Sequence, residues 1–475
     1  MTMLDSRLLF DTEADADGLT LHELRALERM SAPFRVELRL HADVEGGLAP
    51  ETIDELLQAP AVARYGPGAS HGFAGVLTEI ELLDVEAKGA DYRVVLEPRM
   101  SRAGLVRRSR VFQDQSIVDI VLAVLDDYGL SGEPHVQALL RGSYPAREYC
   151  VQFEESDLDF VRRLLEHEGV FFFFDGSAEP DKIVLADANT SLSSVPEWET
   201  VHFSERLGVV DARGTISSLR RSQRLLSAQV YERDYNWRTP GFLANGLAPA
   251  DPIGFGFVAH YGEHVKDDAE AERIAQVRAE AINVERVRYT GRSQVPAMHP
   301  GFTFELQGAP AGELDIAYLV TEVRHRASVD GYSNELVAIP AATPYRPPRV
   351  TRKPRIDGIM HAKIDGEHTN TAAPLDAQGR YKVRLPFDLG GEFGGKASRW
   401  IRKAQPYAGA NYGMHFPLHV GTEVMIAHQG GDPDRPVILG AVPNPGTESP
   451  VNGDYSTQSR IQTRAGIVFA FEDDA

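Results

Sequence analysis

FRVELRL, residues 34–40, alternates without a break. Phe34, Val36, Leu38 and Leu40 fall on one face of an extended chain, and Arg35, Glu37 and Arg39 on the other. A period of two specifies a strand with one buried and one wet face. The pattern returns at 76–82 (VLTEIEL) and 92–96 (YRVVL), and short runs bounded by Gly, Pro, Asp and Asn fill most of the chain. The fold class expected is mainly β. Helical stripes interrupt it at 116–128 (SIVDIVLAVLDDY), 156–167 (SDLDFVRRLLEH) and 267–284. Ser156 reads as an N-cap, and Gly129 and Gly169 as helix stops. Phe171 to Phe174 reads as a strand buried on both faces.

The chain has 475 residues, enough for about three domains. Its 49 basic and 69 acidic residues give a net charge of −20, which argues against nucleic-acid and anionic-membrane partners. The cluster Arg102, Arg107, Arg108 and Arg110 reads as a solvated charged face. The single cysteine, Cys150, excludes an intramolecular disulfide and suits a small buried side chain. The first 18 residues carry neither a basic start nor an apolar core, so no Sec signal is read there, and no apolar run approaches a membrane span.

Residues 343–355 (TPYRPPRVTRKPR) separate two styles of sequence. Prolines exclude a long helix or central strand, so 346–355 is expected to be an extended, semi-stiff linker. The following 356–445 has strands and Gly-rich turns that suit a five-stranded OB-type barrel. After 445 the pieces are too short to form a core alone.

Catalytic motifs appear only in part. Gly68-Ala69-Ser70-His71-Gly72 matches a nucleophile elbow but lacks the hydrophobic strand before it and the helix after it. Residues 390–396 (GGEFGGK) resemble a phosphate loop, yet Ala397 stands where Ser or Thr would bind magnesium. His167-Glu168 is followed by Gly169 and Phe171, not by a second histidine. Pro417 separates His415 from His419, so they cannot share a helical face. These residues point to no catalytic, metal or cofactor site, and a structural or binding protein is expected.

Four longer stretches carry a resemblance. Residues 148–175 (EYCVQFEESDLDFVRRLLEHEGVFFFFD) are similar to the signature of the VgrG family. So are 379–388 (GRYKVRLPFD), 399–413 (RWIRKAQPYAGANYG) and 421–445, where GDPDRP stands at 431–436. Weaker likenesses lie at 72–79, 110–115 and 318–327. The OB-unit residues that carry it are Gly379, Arg380, Trp400, Gln405, Gly421, Glu423, Asp432, Pro433, Asp434, Arg435 and Pro436. In the N-terminal part they are Glu155, Ser156, Asp157, Phe160, Leu164 and Gly169. Residues 385–387 and 415–418 depart from the family pattern.

The resemblance implies a phage-tail-hub-like domain over 1–345. It would hold two β-barrels, 1–95 and 215–345, with an α/β insertion at 96–214. An OB barrel at 356–445 and the start of a trimeric β-helical needle at 446–475 would follow. It implies a homotrimeric, non-enzymatic hub and spike of a contractile injection machine such as the type VI secretion system. Its partners would be an Hcp-like tube protein, a PAAR-like tip, effectors and baseplate proteins. Such a protein is assembled in the cytoplasm and exported by the machine itself. The motif residues are expected to hold turns and barrel packing, with Trp400 in a core or a subunit interface. Two other readings stay open: a spike with cell-wall-degrading activity, and a β-rich receptor-binding protein.

Overall fold

Alternation between apolar and charged residues is realised strand by strand. A computed structural model of the chain describes residues 7–16, 18–57, 59–176, 181–204, 214–390 and 392–473. Val36, Leu38 and Leu40 of strand Arg35–Ala42 are buried. Its outward residues pair across strands: Arg35 with Glu79 and Glu97, Arg39 with Asp91. Such cross-strand pairs fix register on a solvated sheet face.

The chain divides into two compact units. The first comprises 1–106, 117–144 and 156–352. Its main sheet has twelve strands, in the order Leu9–Thr12, Pro60–Tyr65, His71–Glu86, Gly89–Glu97, Arg35–Ala42, Leu19–Arg29, Ala317–Ser328, Thr303–Gln307, Thr200–Phe203, Thr215–Gln223, Val287–Ser293 and Gly331–Pro340. The last of these pairs back onto Ala317–Ser328, closing six strands into a barrel. Its core includes Val201, Ile216, Phe304, Tyr318, Val320 and Leu336. Two barrels are the sequence expectation. The C-terminal one closes; the N-terminal six strands run from Leu9–Thr12 to Leu19–Arg29, two strands that lie in contact, and join the closed barrel through the Leu19–Arg29 to Ala317–Ser328 pairing.

Helix Asp268–Asn283 covers a separate three-stranded sheet through Ile274, Ala275 and Ala279. Gly246 is required there, because a Cβ would lie 2.2 Å from the helix backbone at Ala271. The other expected helices form at Ile117–Asp126 and Asp157–Glu168, and Phe171 to Phe174 are all buried. No helix among the described residues is long and apolar enough to cross a membrane.

The second unit comprises 107–116, 145–155 and 353–475. Strands Ile359–Ile364, Val383–Arg384, Glu423–His428 and Pro436–Ala441 form one sheet. Residues 401–404 bond to Ile438 on one side and Tyr381 on the other, which closes a five-stranded barrel. The expected insertion 96–214 is thus shared between units. Strands Arg107–Phe112 and Cys150–Ser156 pair together, and Tyr149 and Val151 enter the core of the second unit. Cys150 is buried there.

Stretch 346–352 belongs to the first unit and is anchored along it. Arg346 donates to the carbonyls of Gly169 (3.0 Å) and Asp187 (2.6 Å), and Glu166 accepts from the backbone amides of Val350 and Thr351. An extended backbone has no internal partners for its amides, so side chains supply them.

Candidate functional site

Two motifs far apart in sequence meet in the second unit. Gly430 and Gly431 hold left-handed φ values of 64° and 77° and turn the chain into GDPDRP. Asp432 accepts from the backbone N–H of Asp434 through its Oδ1 at 2.9 Å, and from that of Arg435 through its carbonyl at 2.9 Å. Asp434 is buried and reaches the other motif: its Oδ1 accepts the backbone N–H of Val151 at 2.7 Å. Lys353 Nζ lies 2.6 Å from Asp432 and 2.7 Å from Asp434. Arg435 is 3.8 Å from Asp432, and Pro436 opens the last barrel strand opposite His428. Pro433 lies between the two carboxylates in the turn.

The remaining OB-unit residues are spread around the barrel. Gly379 adopts φ 71° in a turn whose Asp376 carboxylate accepts from the guanidinium of Arg380 at 2.7 Å. Gly421 adopts φ 92° and donates to Ile364 O at 2.9 Å. Glu423 accepts from Asn444 at 2.7 Å and lies 2.6 Å from His361 Nδ1, and these two hydrogen bonds hold its carboxyl below the usual range. Gln405 Nε2 is 3.3 Å from His415. Trp400 is half-buried with the Lys382 ammonium 5.1 Å over its ring, outside the buried core of the unit.

The 155–169 motif caps and seats one helix. Ser156 Oγ accepts the Asp159 N–H at 3.0 Å, as the sequence implies. Asp157 is buried and accepts from Tyr128 Oη at 2.7 Å; Phe160 and Leu164 fill the first unit's interior. Gly169 ends the helix at φ 73°, where a Cβ would lie 2.6 Å from Val277 Cγ1. Glu155 falls in the second unit, and its carbonyl accepts from Gln152 at 3.3 Å.

Of the look-alike motifs, 68–72 forms a turn entering strand His71–Glu86, with Ala69 at φ 54°. In the loop 390–396, the Gly395 N–H donates to Asp365 at 2.8 Å. Gly391 lies outside the described residues.

A charged network that sequence reading missed surrounds Glu263. It is 2.6 Å from Arg349, 2.5 Å from Arg278 and 3.5 Å from His167. Burial alone would raise its carboxyl, but these three partners hold it far below the usual range. A second missed group is Glu28 with His299 and His325. A signal for it exists in the alternation: Glu28 and His325 stand at the inward parity of their strands, beside Ala26 and Ala327.

Residues 27–331 match the family described as phage tail baseplate hub, and residues 371–442 the type VI secretion system/phage-baseplate injector OB domain. VgrG5 of Pseudomonas aeruginosa, a type VI secretion system spike protein, is 30% identical over 448 residues. The chain belongs to the VgrG family. That alignment covers 88% of this chain and 55% of VgrG5. The VgrG1 of Vibrio cholerae named as an actin cross-linking toxin is 26% identical over 464 residues, covering 93% of the chain and 42% of that protein. The chain spans about half the length of these VgrG relatives. An E. coli type VI secretion component, structurally similar to two T4 bacteriophage tail proteins, shares the fold. Its TM-score is 0.68 at 24% identity, covering 91% of this chain and all of that one.

Proposed function

We propose that the chain is the hub and spike base of a contractile injection machine of the type VI kind and works as a homotrimer. One observation carries the reading. Strands Gln458–Gln462 and Val468–Glu472 form an antiparallel hairpin that exposes its apolar residues. Ile461, Phe469 and Phe471 share one face, the two phenylalanine rings 4.9 Å apart, and all three are exposed. A two-stranded hairpin is marginal in water and a contiguous apolar face needs covering. Two further copies of the same hairpin would supply that cover and begin a threefold needle.

In this reading the hub unit sits on a sixfold tube of Hcp-like protein, within a baseplate. The needle carries a PAAR-like tip and effectors. The chain is assembled in the cytoplasm, leaves through the machine and performs no catalysis; the motif residues hold turns and packing. The toxin name belongs to one relative, of which this chain spans 42%.

The test is genetic. Deleting the coding sequence in the producing bacterium stops release of the tube protein into the medium, and a plasmid copy restores it. Undiminished release from the deletion strain contradicts the proposal.

A further inference from the structure

Glu28, His299 and His325 lie together in the interior of the first unit, each less than 6% exposed. Glu28 comes from strand Leu19–Arg29, His325 from the adjacent strand Ala317–Ser328, and His299 from the loop before strand Thr303–Gln307. An unpaired buried carboxylate is costly, and so is an unpaired buried imidazole nitrogen. His299 Nδ1 meets Glu28 at 2.9 Å. His325 Nε2 faces the same carboxylate at 3.6 Å, too far for a hydrogen bond, and has no other partner among the described residues. The carboxylate of Asp175 adds a second negative charge near His299.

We infer that Glu28, His299 and His325 bind one divalent transition-metal ion of the zinc type. Two imidazoles and a carboxylate are a zinc donor set, with bonds of about 2.0–2.2 Å that place tetrahedral ligands roughly 3.4 Å apart. The three candidate ligand atoms lie within 4.8 Å of one another, and the distances from Glu28 Oε1 to His299 Nδ1 and His325 Nε2, 2.9 and 3.6 Å, bracket that spacing. The ion replaces the direct Glu28–His299 contact and gives His325 Nε2 the partner it lacks.

The surrounding residues orient the ligands. His325 Nδ1, the nitrogen away from Glu28, lies 2.7 Å from Tyr332 Oη, which in turn accepts from Asn334 Nδ2 at 2.9 Å. Such a contact to the non-ligating nitrogen fixes ring orientation. Gly176 presses on the other ring: a Cβ there would lie 2.4 Å from His299 Cε1. With every ligand buried, the ion enters as the chain folds and ties the N-terminal strands to the closed barrel.

The full chain, freed of any affinity tag, is refolded with and without zinc and its metal content measured by mass spectrometry. We expect about one zinc per chain and a higher melting temperature in the zinc-refolded protein. Glu28→Gln and His325→Ala should each reduce the content below about a tenth. Tyr332→Phe, which keeps the packing, should weaken affinity about tenfold or more. His361→Ala, at an exposed histidine of the second unit, should change nothing. Should the first two variants fail to fold, cobalt binding to the wild-type chain decides, through the visible spectrum of a low-coordinate imidazole site. Wild-type protein refolded with zinc but holding less than about a tenth of an equivalent, or a content equal in wild type, Glu28→Gln and His325→Ala, overturns the assignment.

Discussion

Asp434 joins two stretches of chain through a buried carboxylate. Replacing it with alanine leaves the buried Val151 N–H without its acceptor and removes one of the two carboxylates facing Lys353. A loss of about 2 kcal/mol is expected in chemical denaturation, against a few tenths for Glu23→Ala at an exposed pair. Equal effects of the two substitutions would contradict the role given to Asp434. Trp400 makes a contrasting case. Its position inside a family-like motif suggests a core or an interface, yet within the chain it is half-buried beneath Lys382. Trp400→Ala should therefore cost only about 1 kcal/mol in the separated chain. Tyr381→Ala, at a fully buried aromatic, should cost about 4 kcal/mol. Thermal melts of both variants check the order, and a reversed order would place Trp400 in a core after all.

At the scale of elements, the stretch 346–352 and the helices beside it are held by charge. Glu263 stays ionised in the folded chain well below its ordinary value of 4.5, while in the unfolded chain it titrates normally. Its stabilisation is therefore complete above about pH 5 and is lost as pH falls through that ordinary range and below it. Glu263→Gln should cost about 2 kcal/mol at pH 7 and flatten the acid limb of the stability profile. Parallel profiles for wild type and variant, measured by denaturant titration from pH 7 to pH 3, would exclude the network as the cause. The fragment 353–475 makes a second element-scale prediction. It lacks Tyr149 and Val151, two members of its own buried core, and should show no cooperative thermal transition by circular dichroism. A sharp transition would mean that 107–116 and 145–155 are dispensable.

These two predictions mark what the sequence could and could not say. Local alternation specified the strands, because the period of two is written in neighbouring residues such as Phe34 to Leu40. Ser156 and Gly169 specified the ends of a helix, since capping uses residues only a few positions away. Partners remote in sequence left no such trace. Nothing in 346–355 beyond its arginines shows that Glu166, Glu263 and Glu280 await it, so a linker is the natural reading of a Pro-rich stretch. The transfer of 145–155 to the second unit is likewise set by long-range contacts, among them Asp434 to Val151 and Arg380 and Arg399 to Glu148, and by shared core packing. Glu28 and His325 were visible only as polar residues at buried parity, a signal that names no partner.

The whole molecule poses the remaining question: what covers the hairpin at the C-terminal end. Phe471→Glu puts a charge on its exposed apolar face and should turn a trimer into monomers while leaving the chain folded, because Phe471 supports neither unit's core. A variant that stays trimeric would move the interface elsewhere, for instance to the exposed Phe255, Phe257 and Tyr261 of the first unit. The native mass of the unmodified chain, measured by light scattering on a sizing column, tests the trimer most directly. Three chains of 52.3 kDa predict one species near 157 kDa. A single species of 52.3 kDa at every concentration tested would contradict a trimeric spike base built from this chain.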